Sequence, residues 1–268
     1  MARALIIAEI GENHIGDMEL AKKMILEAAS AGADMVKFQS YLGSDVAEGD
    51  PEKDWFSKVQ VSDEAHHELK KYAEEHGIEF LSSPFSLERA RFLCENLGLK
   101  KIKIASSEML NLALLDYVNN NAEVVYLSTG MATLPEIKKA VKHLNRIKYL
   151  YILHCTTQYP TKPEDANLRA ITTLKEAFPD KRIGFSDHTL GIKAALAATA
   201  LGAEVIEKHF TLDKSLPGTD HVLSADPKEL RELVEGVRDV ETLLGNPEKK
   251  PTGQEEKIRE FVRHRFPK

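Results

Sequence analysis

The sequence has 268 residues, of which 43% are hydrophobic and 29% are charged. These proportions are typical of a globular chain with a full apolar core, and they exclude an intrinsically disordered or collagen-like protein. The formal net charge of −6 gives no basic surface for nucleic acid or for an anionic membrane, so neither is expected as a partner.

The start of the chain and its cysteines indicate where the protein works. The apolar run at residues 4–10 is short and is interrupted by Glu9, so it predicts a strand rather than a signal peptide. No run of about 18 apolar residues follows it, so no membrane-spanning helix is expected. The two cysteines, Cys94 and Cys155, have neither disulfide-framework nor zinc-knuckle spacing. This usage favours a reducing compartment, the cytoplasm.

Short β-branched runs alternate with longer amphipathic segments along the chain, in the order typical of repeated β-α units. Eight strands are predicted, at Leu5–Ile10, Met35–Gln39, Glu79–Ser82, Lys101–Ala105, Val124–Leu127, Leu150–His154, Arg182–Phe185 and Glu204–Lys208. Eight helices are predicted, at residues 17–31, 62–76, 86–97, 111–120, 133–145, 165–177, 192–201 and 226–244.

Eight strands that are each followed by a helix, within about 250 residues, predict an α/β protein with the (β/α)8 fold of a TIM barrel. A doubly wound parallel sheet is the alternative. The barrel is expected at residues 1–245, with a linker and a helical tail at 246–268. Two long segments, Tyr41–Val61 and Thr211–Ala225, follow the second and eighth strands. A barrel would place both on the carboxyl face, where substrates bind.

Alternate residues of a barrel strand point into the interior, which is normally packed with aliphatic side chains. Here the inward register of five strands ends in polar residues instead, and charge in an interior is costly unless it is paired or used. The pattern therefore predicts an active site at the carboxyl mouth, and the alternative is an ion-pair network that only holds the strands together. The residues are Glu9, Lys37, Gln39, Lys103, Ser186, His188, Glu207 and His209.

Two features of this mouth indicate its ligands. His188 and His209 are one β-α unit apart, so adjacent strands bring their imidazoles together. Two imidazoles with open positions favour Mn²⁺ or Mg²⁺, which would also bind water and a substrate oxygen. Hydroxyl residues recur just after the strands, where they and the backbone N–H groups of helix starts bind phosphate oxygens. With the charges of Lys37 and Lys103, they predict a phosphorylated ligand.

The sequence also resembles the sialic acid synthase family, from about residue 4 to residue 244. The resemblance is carried by residues 8–16 (AEIGENHIG), 36–39 (VKFQ), 83–85 (SPF), 103–108 (KIASSE), 127–131 (LSTGM), 153–156 (LHCT), 159–161 (YPT), 184–190 (GFSDHTL), 207–210 (EKHF) and 217–221 (PGTDH). Members of that family condense phosphoenolpyruvate with an N-acylated sugar to form nine-carbon 2-keto acids. The resemblance therefore implies a transferase of carbohydrate biosynthesis that uses these two substrates.

Carried over residue by residue, the resemblance implies a role for each matching side chain. His188 and His209 would bind the divalent metal. Phosphoenolpyruvate would be surrounded by Lys37, Lys103, Ser83, Ser106, Ser128 and Ser186. The sugar or the reacting carbons would face Glu9, Gln39, Glu108, Tyr159 and Asp220. Glu9, Lys37 and Lys103 are the expected catalytic residues, with Glu9 transferring the proton of the water or of a hydroxyl.

Members of the family usually continue into a small antifreeze-like domain, which in the dimer caps the partner's site and contributes an arginine to the sugar. This sequence ends at Lys268, so we expect a homodimer with weak sugar binding, unless Arg263, Arg265 or a separate capping chain supplies the contact. Two other functions stay open. One is a non-catalytic phosphoenolpyruvate-binding paralogue, and the other is a Schiff-base aldolase that uses Lys37 or Lys103.

Overall fold

The computed structural model describes residues 3–266. Within them, eight strands form one parallel sheet, and the bounds of each strand differ from the predicted ones by at most two residues. The strands are β1 (Leu5–Gly11), β2 (Met35–Ser40), β3 (Glu79–Pro84), β4 (Lys101–Ile104), β5 (Val124–Ser128), β6 (Tyr149–Cys155), β7 (Arg182–Asp187) and β8 (Val205–His209).

The strands pair in the order β3-β2-β1-β8-β7-β6-β5-β4. Because β1 pairs with both β2 and β8, the first and last strands of the sequence are neighbours in a ring. β3 and β4 lie side by side, but no ladder joins them within residues 3–266. The predicted (β/α)8 TIM barrel is confirmed. A doubly wound sheet is excluded, because its strand order reverses at a switch point and this order does not.

Helices surround the ring, and one follows each strand at nearly the predicted place. The helices described within residues 3–266 are α1 (Met18–Ala31), α2 (Lys53–Val59), α3 (Asp63–Glu75), α4 (Leu87–Arg91), α5 (Leu112–Asn121), α6 (Leu134–His143), α7 (Ala170–Ala177), α8 (Lys193–Ala200), α9 (Pro227–Leu244) and α10 (Gly253–Arg263). Among these helices, none has the length and apolar character that crossing a bilayer requires.

Two helices differ from the sequence-based expectation. α2 lies inside the segment 41–61, which the sequence predicts as a long loop. It has only seven residues, and its N-cap, Glu52, makes no side-chain capping bond, so it lacks the usual start signal. The predicted helix at 86–97 is divided, because α4 ends at Arg91 and a π-helical turn, Phe92–Asn96, continues it.

Local capping explains where the other helices begin and end. The Asp17 carboxylate accepts hydrogen bonds from the backbone N–H groups at the start of α1, and the Ser62 hydroxyl does the same for α3. α1 ends at Gly32, whose φ of 88° is the left-handed conformation that glycine adopts without strain. The chain can therefore turn at once into β2, which keeps this connection short.

Two apolar layers hold the barrel together. One lies between the strands and the helices, and a smaller one fills the lower part of the ring. Since side chains alternate along a strand, the inward positions one step further along β1, β2 and β8 are Glu9, Lys37 and Glu207. The polar mouth therefore rests on an apolar base. Its members are Ile7, Met35, Leu81, Tyr126, Tyr151, Leu153 and Val205.

The tail after α9 contains α10, which has no buried residue. Apolar side chains of this segment, Ile258, Phe261 and Phe266, are exposed. Arg263 and Arg265 are exposed as well, and neither lines the pocket at the barrel mouth. Neither arginine therefore contacts the site of the barrel to which it is attached.

Replacing Leu81 with alanine is expected to lower the free energy of unfolding by about 2–5 kcal/mol, because the side chain is fully buried inside the ring and its neighbours cannot close the cavity. Urea denaturation followed by circular dichroism measures the change. Leu243→Ala, at a position on α9 that is 84% exposed, is the control and should change the free energy by less than about 0.5 kcal/mol. Equal effects in the two variants would contradict this account of the core.

Candidate active site

A cavity of about 440 Å³ lies at the carboxyl mouth of the barrel, the place where enzymes of this fold bind substrates. Thirteen of the fourteen site residues predicted from the sequence line it. They are Glu9, Lys37, Gln39, Ser83, Lys103, Ser106, Ser128, Tyr159, Ser186, His188, Glu207, His209 and Asp220.

The floor of the cavity is a network of four buried charges from four strands. Lys37 Nζ lies 2.8 Å from Glu9 Oε2 and 3.7 Å from Glu207 Oε2. Lys103 Nζ lies 3.5 Å from Glu207 Oε1. Glu207 therefore joins the two lysines, and the network contains two positive and two negative groups. Such an arrangement offsets the cost of burying each charge, and it places two ammonium groups where an anionic ligand can reach them.

The two carboxylates of the floor have very different pKa values. Burial raises the pKa of Glu9 to about 7, against the pull of Lys37 and with the help of the negative charge of Glu207. Burial also disfavours the charge of Glu207, but Lys103, Lys37 and the hydroxyl of Ser186 outweigh it and hold the pKa at about 2. Glu207 is thus a permanent anion, whereas Glu9 can take up and release a proton near neutral pH.

Hydroxyl groups surround this floor at the strand ends. Ser83 Oγ accepts a hydrogen bond from Lys37 Nζ at 3.1 Å, and Ser186 Oγ donates to Glu207 Oε1 at 2.8 Å. The hydroxyl of Ser128 is buried and has no hydrogen-bond partner within the described residues. A buried hydroxyl without a partner at a cavity wall is a group that a bound ligand would satisfy.

Gly130 allows two of these strand ends to approach each other. Its backbone N–H donates to Ser106 Oγ at 3.0 Å. A Cβ atom on this residue would lie 2.1 Å from Thr157 Oγ1, so any other amino acid would push the loops after β5 and β6 apart. The glycine therefore keeps Ser106 and the N–H group of the turn at the cavity wall.

The two histidines stand side by side, with ring centroids 5.3 Å apart. His188 Nδ1 lies 2.8 Å from the carbonyl oxygen of Thr156, so Nδ1 carries the proton and donates it, which leaves the lone pair on Nε2. His209 Nδ1 lies 3.2 Å from Asp220 Oδ2, in an orientation that forms no hydrogen bond. The ring of Tyr159 stacks on His188 at a centroid distance of 4.1 Å.

Both imidazoles are neutral at physiological pH. Burial lowers the pKa of His188 to about 4 and that of His209 to about 3. Neutral imidazole is the form that binds metal ions, so the donors fit a divalent cation. No group of three or more His, Cys, Asp or Glu side chains within residues 3–266 is arranged as a metal site. The fit is therefore to a cation that takes its other ligands from substrate and water.

A second buried ion pair lies behind the histidines and was not anticipated from the sequence. Lys208 Nζ donates to Asp187 Oδ2 at 3.3 Å and also to the carbonyl oxygen of Thr189, and Asp187 Oδ1 accepts from the backbone N–H of Thr189 at 2.8 Å. These two residues immediately precede His209 and His188. The pair therefore fixes the ends of β7 and β8 relative to each other, and with them the two imidazoles.

Glu108 is the one predicted site residue that does not line the cavity. It ends the 3-10 turn Ser106–Glu108, and its Oε2 accepts a hydrogen bond from Asn111 Nδ2 at 2.9 Å. Sequence reasoning also assigned no role to several other residues that line the cavity. They are Glu12, Glu52, Met131 and Thr219 outside the helices and strands, Phe56 of α2 and Cys155 at the end of β6. Glu12 offered a signal, because it is charged and comes directly after β1.

Comparison with known proteins finds relatives that match most of the chain. The chain is 41% identical over 279 residues to the N,N'-diacetyllegionaminic acid synthase of Legionella pneumophila, a match that covers 96% of this chain and 78% of the relative. It is 40% identical over 261 residues to the N-acetylneuraminate-9-phosphate synthase of Homo sapiens, covering 91% of this chain and 72% of the relative.

A solved structure is similar over nearly the whole chain. It is the N-acetylneuraminic acid (sialic acid) synthetase from Leptospira borgpetersenii serovar Hardjo-bovis, in complex with citrate. The TM-score is 0.92 at 36% sequence identity, and the match covers 97% of this chain and 92% of the other. The NeuB family matches residues 24–249, which is most of the sequence. The chain belongs to the NeuB family.

Proposed function

We propose that this chain condenses phosphoenolpyruvate with an N-acylated hexose, forming a nine-carbon 2-keto sugar acid and releasing inorganic phosphate. The observation that carries the proposal is one cavity that holds two buried lysines, Lys37 and Lys103, beside two neutral imidazoles. Relatives that are named as sialic and legionaminic acid synthases support the same class of reaction.

Phosphoenolpyruvate carries a carboxylate and a phosphate, so its site needs cations and hydrogen-bond donors. Lys37 and Lys103 supply the ammonium groups, and the hydroxyls of Ser83, Ser106 and Ser128 line the same cavity. Ser186 would affect the ligand only indirectly, because its hydroxyl donates a hydrogen bond to Glu207. An incoming trianion would share the two lysines with Glu9 and Glu207. Before the ligand arrives, these carboxylates raise the pKa of Lys37, and at Lys103 they oppose the lowering of the pKa by burial.

The proposed reaction forms one C–C bond and one C–O bond and breaks one C–O bond. C3 of phosphoenolpyruvate attacks the aldehyde carbon of the open-chain sugar, whose oxygen takes up a proton and becomes a hydroxyl, and the oxygen of a water molecule bonds to C2. The resulting C2 hydroxyl loses its proton as the bond from C2 to the phosphate oxygen breaks, which leaves the 2-keto group and inorganic phosphate. Glu9 in its ionised form accepts the proton of that water. Lys37 at 2.8 Å and Gln39, whose Nε2 lies 3.4 Å from Glu9 Oε1, hold the carboxylate in position.

His188 and His209 would hold the divalent cation, Mn²⁺ or Mg²⁺. When bound, such a cation polarises a carbonyl oxygen and stabilises the negative charge that develops on it. The chain's own contribution is orientation, since the Thr156 carbonyl fixes the tautomer of His188 and Tyr159 stacks on its ring. Gln39, Tyr159 and Asp220 line the cavity near these groups and are assigned to the sugar. Glu108 is left out of the proposal because it does not line the cavity.

The function is tested by following phosphoenolpyruvate consumption with a panel of N-acyl hexoses. We expect consumption, with stoichiometric phosphate release, only when an acceptor is present. The Schiff-base aldolase is favoured by one observation, that burial lowers the pKa of Lys103 and so promotes the free amine. The proposed condensation forms no Schiff base, so borohydride trapping with pyruvate should give no adduct. An adduct would establish the aldolase, and calorimetric binding of phosphoenolpyruvate without turnover would establish the non-catalytic paralogue.

Chelation by EDTA should abolish activity, and Mn²⁺ should restore it. His188→Ala and His209→Ala should each remove Mn²⁺ binding measured by isothermal titration calorimetry, because a site with two protein ligands has no spare donor. His143→Ala is the matched control, since His143 pairs with Asp116 on the outside of the barrel. Unchanged Mn²⁺ affinity in both site variants would refute the assignment.

Activity should rise with pH through about 7 and level off above it, because Glu9 has a pKa of about 7 and must be ionised to accept a proton. Glu9→Gln should lower kcat by about 10²–10⁴-fold, the usual contribution of a general base. The pH profile of kcat/KM reports the pKa of the free enzyme, and kcat of Glu9→Gln measures the lost contribution. If the whole pH step remained in Glu9→Gln, it would belong to phosphoenolpyruvate or to another group, and Glu9 would not be the base that it reports.

The assembly and location belong to the same proposal. We infer a homodimer that works in the cytoplasm, with a cap over each site from the partner or from a separate chain. Both cysteines of the sequence are buried and free, which suits a reducing compartment. Light scattering on the full chain gives the mass, and a monomer at micromolar concentration would rule out the homodimer.

A further inference from the structure

The charged groups that line the cavity divide into a floor and a rim. The floor is the neutral network of Glu9, Lys37, Lys103 and Glu207 described above. The rim is formed by carboxylates from the loops outside the strands, namely Glu12, Glu52 and Asp220. Among the described residues that line the cavity, Lys37 and Lys103 are the only lysines or arginines. The rim therefore has carboxylates and no lysine or arginine of its own, and of these carboxylates Asp220 lies beside a proposed cation ligand, with its Oδ2 3.2 Å from His209 Nδ1.

Glu12 is held rigidly at this rim by two neutral donors. Trp55 Nε1 donates to its Oε2 at 2.8 Å, and Thr219 Oγ1 donates to its Oε1 at 3.1 Å. Trp55 belongs to α2 and Thr219 to the segment after β8, so both long loops meet at this carboxylate. Neither donor carries a charge, so the bonds position Glu12 without neutralising it.

The cations nearest to the rim along the chain are engaged elsewhere. On α2, Lys53 pairs with Glu48, and Lys58 Nζ lies over the ring of Trp55, 5.3 Å from its centroid. Neither lysine lines the cavity. Glu52, at the start of α2, is exposed and makes no capping bond with its side chain, so its carboxylate is also uncompensated.

We propose that Glu12, with Glu52 and Asp220, restricts the acceptor to an uncharged N-acyl hexose and excludes hexose 6-phosphates. The inference rests on the proposed function, since phosphoenolpyruvate at the lysines of the floor leaves the rim to the acceptor. Carboxylates accept hydrogen bonds from sugar hydroxyls and from the amide N–H, whereas they repel a phosphate dianion. The relatives described above differ in this respect, because only the name of the human one carries a phosphate.

The experiment compares N-acetylmannosamine with N-acetylmannosamine 6-phosphate on the full chain, with Mn²⁺ and saturating phosphoenolpyruvate. We expect kcat/KM for the uncharged acceptor to be higher by about tenfold or more, since the phosphate would approach the carboxylates of Glu12 and Glu52, which no cation compensates. Raising the NaCl concentration from about 0.05 M to about 0.5 M should reduce this ratio, because salt screens the repulsion. A difference that came only from pocket size would not respond to salt.

Charge-removing variants assign the effect to the rim. Glu12→Gln and, independently, Glu52→Gln should reduce the ratio by raising kcat/KM for the 6-phosphate relative to the uncharged sugar. Asp54→Asn is the matched control, because Asp54 is exposed on α2 and does not line the cavity. It removes one negative charge from the same helix and should leave the ratio unchanged. If Glu12→Gln only loosened the loops, both acceptors would lose activity equally.

The outcomes separate this inference from the function on which it rests. Equal or better turnover of the 6-phosphate would overturn the inference and leave the condensation standing. A ratio that neither Glu12→Gln nor Glu52→Gln reduces would also overturn it. If neither acceptor causes consumption of phosphoenolpyruvate, the proposed function fails and the inference fails with it.

Discussion

The buried network of Glu9, Lys37, Glu207 and Lys103 is the constraint on which the rest of the barrel mouth depends. Each charge comes from a different strand, and each would be costly alone in this interior. A slip of one residue in any of the four strands would turn its charged side chain outward and leave its partners uncompensated. Aliphatic residues in their place would in general hold a barrel at least as well. Stability therefore does not require the network, whereas the proposed binding of phosphoenolpyruvate does.

The same network explains why so much of the site could be read from the sequence. Glu9, Lys37 and Glu207 each come two residues after an apolar inward residue of the same strand. A period of two residues fixes the direction of each side chain once a strand is recognised. The strand ends and the two histidines follow from the same rule. The resemblance to the sialic acid synthase family points to the same residues, and the two lines of reasoning meet at the floor of the cavity.

The rule fails where the backbone leaves the strand. Glu108 lies at the end of a 3-10 turn after β4, where alternation no longer specifies direction, and its carboxylate bonds to Asn111 instead of facing the cavity. The sequence did not predict α2 for a related reason. A helix of seven residues without a side-chain cap is too short to show a recognisable periodic pattern. The rim at Glu12 depends on contacts between two loops that are distant in sequence, which no local pattern contains.

The barrel is not held together in the same way around its whole circumference, because no ladder joins β3 to β4. Within residues 3–266 the hydrogen-bonded sheet is a strip of eight strands whose two ends meet without a ladder, so widening the ring there breaks no backbone hydrogen bond between strands. Ser83 is carried by β3 and Lys103 by β4, and both line the cavity. A molecule that contacts both side chains would bridge this break, which the ion pair between Lys101 of β4 and Glu79 of β3 already crosses at 2.6 Å.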